Sequence, residues 1–224
     1  MSRYLENLEN RTLFAAAPLV AVATLSADGT RLDVMGTKKA DDIHVSLNAD
    51  AAHVDVTSNG ALLGSYPLGA LALIAVDGGK GNDNVHVDAN VLVATNLKGN
   101  VGNDILVAGG GTSTMDGGAG KDSLTGSPLG DLMEGGNGKD VLVGGDGDDH
   151  LNGGNGADVI DAGNGNDIVV GGAGLDALTG GEGADNFAGN DKVWELRDLN
   201  GVEDTYTLNV NPMGIIDDFF GNLF

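Results

Sequence analysis

From Gly99 to Ala188 one apolar side chain recurs at every ninth position. The series is Leu106, Met115, Leu124, Met133, Leu142, Leu151, Ile160, Val169, Leu178 and Phe187, ten repeats without a slip. The stretches between these residues are rich in glycine, so each unit reads as a tight loop followed by a short strand. Only the middle side chain of that strand points inward. A loop plus a strand reverses the chain direction, so two units close one coil of about 18 residues, with parallel strands stacked roughly 4.8 Å apart on two faces.

Upstream the pattern loosens. GGKGNDNVH, residues 78–86, is an isolated repeat out of register with Gly99, and GTKKADDIH, residues 36–44, is a degenerate copy. Asp83 precedes Asp104 by 21 residues, and Asp41 precedes Asp83 by twice that. This spacing predicts that residues 30–98 are strands of a wider, 21-residue coil leading into the tighter one. Alternation and β-branching mark LDVM, IHVSL, VDVT, LALIAV, VHV and VLVA as strands. LSADGTRLDV, residues 25–34, predicts a hairpin turning at Asp28-Gly29. LFAAAPLVAVATL, residues 13–25, is read as a buried strand rather than a cleaved leader: Glu6 and Glu9 stand where a basic segment belongs, and Pro18 interrupts the run. SRYLENLENR predicts a short helix. KVWELRDLNGVEDTYTLNV predicts a strand pair that covers the last open edge.

The expected fold class is therefore all-β: a right-handed parallel β-roll (β-solenoid) with a wider-coil N-terminal part and a C-terminal β cap. The expected division is 1–98 for the β-rich N-terminal region, 99–188 for the ten-repeat roll and 189–224 for the cap and tail.

Charge narrows the partners. The chain of 224 residues carries 33 acidic and 11 basic residues, a formal net charge of -22, which repels phosphates and anionic membranes and attracts cations. Aromatics are 4% of the chain, too few for a large conventional core, and there is no cysteine to supply a disulfide or a thiolate. No apolar run reaches the 18 or more residues that span a bilayer.

The acidic residues are placed as regularly as the apolar ones. Position six of the repeat holds Asp104, Ser113, Asp122, Asp131, Asp140, Asp149, Asp158, Asp167, Asp176 and Asp185, and the isolated repeat adds Asp83. Stacking puts Asp104, Asp122, Asp140, Asp158 and Asp176 along one edge and Ser113, Asp131, Asp149, Asp167 and Asp185 along the other. Bare carboxylates about 5 Å apart repel by roughly 3 kcal/mol at an effective dielectric of 20, so the columns call for a cation between successive loops. The ligands are carboxylate and carbonyl oxygens without histidine or cysteine, which suits calcium rather than zinc, copper or the stricter octahedron of magnesium. The expected metal ligands are Asp83, Asp104, Asp122, Asp131, Asp140, Asp149, Asp158, Asp167, Asp176 and Asp185. Ser113 lacks a carboxylate and GSPLGD, residues 126–131, lacks two loop glycines, so about six calcium ions are expected, with one more at Asp83. One core side chain per nine residues is little to set against the entropy of ordering a glycine-rich backbone, so the block is expected to fold as calcium binds.

GGNGKDVLV, GGDGDDHLN and GGNGADVID (residues 135–161) resemble the GGxGxDxUx nonapeptide of the RTX, or haemolysin-type, calcium-binding repeat family. The resemblance covers residues 99–188 and 78–86. It implies a parallel β-roll, calcium in the loops, and export by bacteria to the cell surface or the medium. IIDDFFGNLF resembles the acidic-then-hydrophobic tail of such proteins, and a structural cap reads the segment equally well.

No HExxH, GxSxG or P-loop occurs, and no nucleophile, base and orienting group present themselves, so an enzyme is not expected. The four histidines, His44, His53, His86 and His150, show no ligand spacing. The favoured reading is a secreted calcium-binding protein with a structural or adhesive role. The alternative is a calcium-stabilised carbohydrate- or surface-binding module of a larger secreted protein, although Trp194 is the only tryptophan for an aromatic platform. An ice-binding face would need ranked outward threonines, and only Thr114, Thr125 and Thr179 occupy such positions. Outward Ile105, Val107, Val141, Val143 and Val159 mark one face as a candidate contact surface, for a cell-surface or polysaccharide partner.

Overall fold

The computed structural model describes residues 20–189 and the backbones of two further strands at 192–197 and 205–208. The expected N-terminal helix (SRYLENLENR) and the hydrophobic tail (IIDDFFGNLF) lie outside the described residues. Within them every regular element is a strand.

The chain enters on β1 (Val22–Leu25), which turns at Asp28-Gly29 into antiparallel β2 (Arg31–Met35), as the Asp-Gly signal predicts. β1 is only half-covered, with Val22 37% exposed. It is an edge strand, because the coil's interior is already filled by β2 and its successors. The expectation of a buried strand at 13–25 is corrected to this extent for the part of it that is described.

β2 and β3 (Asp42–Leu47) form the first coil, one strand in each of two sheets. The chain then leaves the coil for β4 (His53–Ser58), antiparallel to β3, and β5 (Ala61–Pro67), antiparallel to β4, which extend the second sheet. It returns on β6 (Leu73–Asp77), parallel to β2, and β7 (Asn84–Val87), parallel to β3. The 42-residue step from Asp41 to Asp83 is thus one coil with an antiparallel excursion, not two wide coils in succession. The wide spacing does occur once, from β6 and β7 to β8 (Ala94–Val101) and β9 (Ile105–Val107), 21 residues on. VLVA is not the strand expected: Val91 is buried in the connection, and β8 begins only at its last residue.

From β8 to β17 each coil is 18 residues long. β10 (Ser113–Gly120), β12 (Leu132–Gly138) and β14 (His150–Gly156) stack in register in the first sheet. β11 (Ser123–Thr125), β13 (Val141–Asp146) and β15 (Val159–Asn164) stack in the second. β16 (Ile168–Glu182) runs through both sheets, its first half on β14 and its second on β15. β17 (Asn186–Gly189), β18 (Lys192–Arg197) and β19 (Thr205–Leu208) continue the stack in parallel. The strand pair expected at the C-terminus exists, but its two members join different sheets rather than each other. The molecule is an all-β parallel β-solenoid.

The core is a narrow column. All ten position-eight side chains are at most 5% exposed. In the tight coils each repeat contributes that one residue, with Ala162 added on β15. The upstream strands contribute two apiece: Leu32 and Val34 from β2, Ile43 and Val45 from β3, Ile74 and Val76 from β6, Val85 and Val87 from β7. The solenoid is therefore best filled at its N-terminal end and thinnest in the repeats, where burial of apolar surface has least to offer.

Candidate metal centre

The repeat loops are tight, and in the regular units glycine is what fits them. Gly136 has φ +103 and Gly138 has φ +154. A Cβ on Gly136 would fall on the carbonyl oxygen of Gly118, and one on Gly138 on that of Gly120. The carbonyls of one loop therefore face the next loop at closest approach. The first glycine of the repeat is required for a further reason: a Cβ on Gly135 would lie 2.6 Å from the Gly153 carbonyl oxygen and also 2.9 Å from Oδ2 of Asp140. The glycine leaves room for the carboxylate to fold back into its own loop.

That carboxylate has a fixed arrangement. From Asp83 to Asp167 each position-six backbone N–H donates to Oδ1 of the aspartate one coil further on. Along one edge Asp83 donates to Asp104 at 2.7 Å, Asp104 to Asp122, Asp122 to Asp140 and Asp140 to Asp158 at 2.8 Å, and Asp158 to Asp176 at 2.9 Å. Along the other, Ser113 donates to Asp131 at 2.6 Å, Asp131 to Asp149 at 2.7 Å, Asp149 to Asp167 at 2.8 Å and Asp167 to Asp185 at 3.0 Å. All ten expected aspartates are buried, none more than 5% exposed. The second oxygen, Oδ2, of Asp83, Asp104, Asp122, Asp140, Asp149, Asp158 and Asp167 is buried with no hydrogen-bond partner. A buried carboxylate oxygen left unpaired is costly and calls for a counter-charge.

The electrostatics point the same way. Burial pushes the Asp149 carboxyl up to about 7 and those of Asp83, Asp122, Asp158 and Asp167 up to about 6. The donated backbone N–H pulls each of them back down, and neighbouring carboxylates push up again. Asp104, Asp131 and Asp140 are raised by burial as well.

Two loops solve the problem differently. In GSPLGD, Oδ2 of Asp131 accepts the Ser127 N–H, while the Ser127 hydroxyl donates to the Leu129 carbonyl and accepts the Leu129 N–H. In GTKKAD, Thr37 does the same for Asp41 and Lys39. The missing glycines are thus replaced by a hydroxyl residue that closes the loop with the protein's own donors. Asp41 belongs to the first column, its N–H donating to Asp83 Oδ1 at 2.8 Å, while its own Oδ2 accepts the Thr37 N–H. The second column ends differently. The residue in register with Ser113 is Thr95, then Ile74. Carboxylate gives way to hydroxyl and then to hydrocarbon.

A protein-family model described as RTX calcium-binding nonapeptide repeat (4 copies) matches residues 98–133, 134–169 and 161–191. The repeat block belongs to this family. Neither curated proteins nor solved structures give a match to the chain. The RTX block is a calcium-binding β-roll, and its donor set fits that ion: buried, unpartnered carboxylate oxygens in loops whose carbonyls face the neighbouring coil, with no nitrogen or sulfur ligand among them.

Proposed function

We propose that Asp83, Asp104, Asp122, Asp131, Asp140, Asp149, Asp158, Asp167, Asp176 and Asp185 are the calcium-ligating carboxylates, and that the repeat block folds as the ions bind. The observation that carries this reading is the row of buried Oδ2 atoms without partners. Calcium supplies the positive charge that these oxygens lack. Asp131 contributes least, because Ser127 already occupies its second oxygen, so about six ions, plus one at Asp83, remains our count. The N-terminal region, residues 1–98, continues into the roll at 99–188, with 189–224 as cap and tail.

The biological role we infer is that of an exported bacterial protein at the cell surface or in the medium, structural or adhesive rather than catalytic. Calcium abundant outside cells would hold the roll folded there, and a scarcity inside would leave it unfolded for export. The acidic surface and the absence, among the described residues, of any helix long and apolar enough to cross a membrane are consistent with this. In the outward row, Ile105, Val141 and Val159 are 49%, 41% and 48% exposed, but Ser123 interrupts them, so a polysaccharide- or surface-binding face draws only partial support.

Circular dichroism during calcium titration, with magnesium as control, tests the folding switch. Growth of β signal with calcium and not with magnesium is expected. Fractionation of the source cell tests the location, and protein found solely in the cytosol would contradict export.

A further inference from the structure

The histidines have no ligand spacing in the sequence, yet the register brings two of them together. His44 on β3 and His86 on β7 are directly paired across parallel strands. Asp88, two residues beyond His86, is fixed beside them by its N–H, which donates to the Val45 carbonyl at 2.9 Å. Asp88 Oδ1 lies 2.7 Å from His44 Nε2 and 3.4 Å from His86 Nε2. The two rings meet edge to face with centroids 5.2 Å apart. One potential ligand atom from each of the three residues lies within 4.8 Å of the others.

We propose that His44, His86 and Asp88 form a second metal centre, for a zinc-like divalent transition ion and not for calcium. Two imidazole nitrogens and one carboxylate are a donor set that zinc, cobalt and nickel prefer and that calcium, which takes oxygen, does not. Ligand atoms about 2.1 Å from a tetrahedral ion stand about 3.4 Å apart, so small side-chain rotations admit the ion. The backbones beneath are held by the fully buried Ile43, Val45, Val85 and Val87. The three side chains are between 34% and 46% exposed, which leaves an open side for water ligands and a path for the ion. The net charge of -22 favours collecting it.

The site lies on the outer face of the wide coils, away from the aspartate columns. It joins strands 42 residues apart in sequence, across the point where the β4–β5 excursion leaves the coil. An ion there would clamp the first coil to the second, independently of the repeats.

The test uses the full chain saturated with calcium, so that the aspartate columns are filled, titrated calorimetrically with zinc chloride. One stoichiometric zinc site is expected. His44→Gln and His86→Gln should each weaken it by about tenfold or more, while His53→Gln and His150→Gln leave it unchanged. The circular dichroism of all four variants in calcium should match the native chain, since the replaced rings sit outside the core. Cobalt added to the native chain gives a readout without substitution: imidazole-bound cobalt displays a visible absorption band that zinc then abolishes. Absence of a stoichiometric zinc site in the native chain would overturn the proposal. So would zinc binding that His44→Gln and His86→Gln leave intact.

Discussion

The backbone N–H of Asp140 donates to Oδ1 of Asp158 at 2.8 Å, 18 residues and one coil away, while Oδ2 of Asp158 is buried without a partner. One oxygen therefore sets the stacking and the other is left for an ion. The two roles are separable by substitution. Asp140→Asn retains an acceptor for the Asp122 N–H but replaces the free oxygen with an amide. The calcium midpoint of folding should rise by about tenfold, because ligand charge governs calcium affinity. Asp131→Asn should instead cost about 1 kcal/mol at every calcium concentration, since its Oδ2 already accepts the Ser127 N–H. Calcium titrations followed by circular dichroism measure both. Equal midpoints for the two variants would contradict the division of roles.

The raised aspartate pKa values fix a pH dependence. Their folded-state values lie above the ordinary 3.8, at about 6 for Asp83, Asp122, Asp158 and Asp167 and about 7 for Asp149. Protons therefore favour the coiled state over the unfolded one. Without calcium, this contribution is full below about pH 4 and is lost as the pH rises through about 6 to 7. Calcium competes with the same protons, so its apparent affinity should fall as the pH drops through that window. In calcium-free buffer the β signal should be greater at pH 4 than at pH 8. A signal that is flat with pH, or larger at pH 8, would rule this out.

Glycine at position four is a matter of packing more than of backbone angles. Gly138→Ala places a methyl group on the Gly120 carbonyl oxygen and forces two coils apart, so thermal unfolding in calcium should register a loss of about 3 kcal/mol or more. Gly60, on the β4–β5 turn and also at positive φ (+77), has nothing within 4 Å of the place a methyl group would take. Gly60→Ala should cost only the local strain of about 1–2 kcal/mol. Similar losses at the two positions would count against close loop stacking.

The tight coils were legible because a strict period of nine fixes both positions: an apolar residue such as Leu142 recurs in every unit, and an aspartate such as Asp140 in every unit but that of Ser113. The upstream coils were less so. A separation of 42 residues between Asp41 and Asp83 is compatible with two wide coils or with one coil carrying an excursion, and spacing alone does not distinguish them. β5 went unseen because ALLGSYP contains a glycine and a proline and does not alternate. The pairing of His44 with His86 depends on that same register, so no local motif announces it. Ser127 and Thr37 break the glycine pattern of the repeat, and only the folded chain shows that their N–H groups donate to the second oxygen of Asp131 and Asp41.

The sharpest test of the central claim is peptide-resolved hydrogen exchange with and without a calcium chelator. Residues 31–87, whose strands β2, β3, β6 and β7 each bury two apolar side chains, should stay protected in both conditions. Residues 99–188 should be protected in calcium and exchange freely in chelator. Full protection of the repeat block in excess chelator would contradict the account.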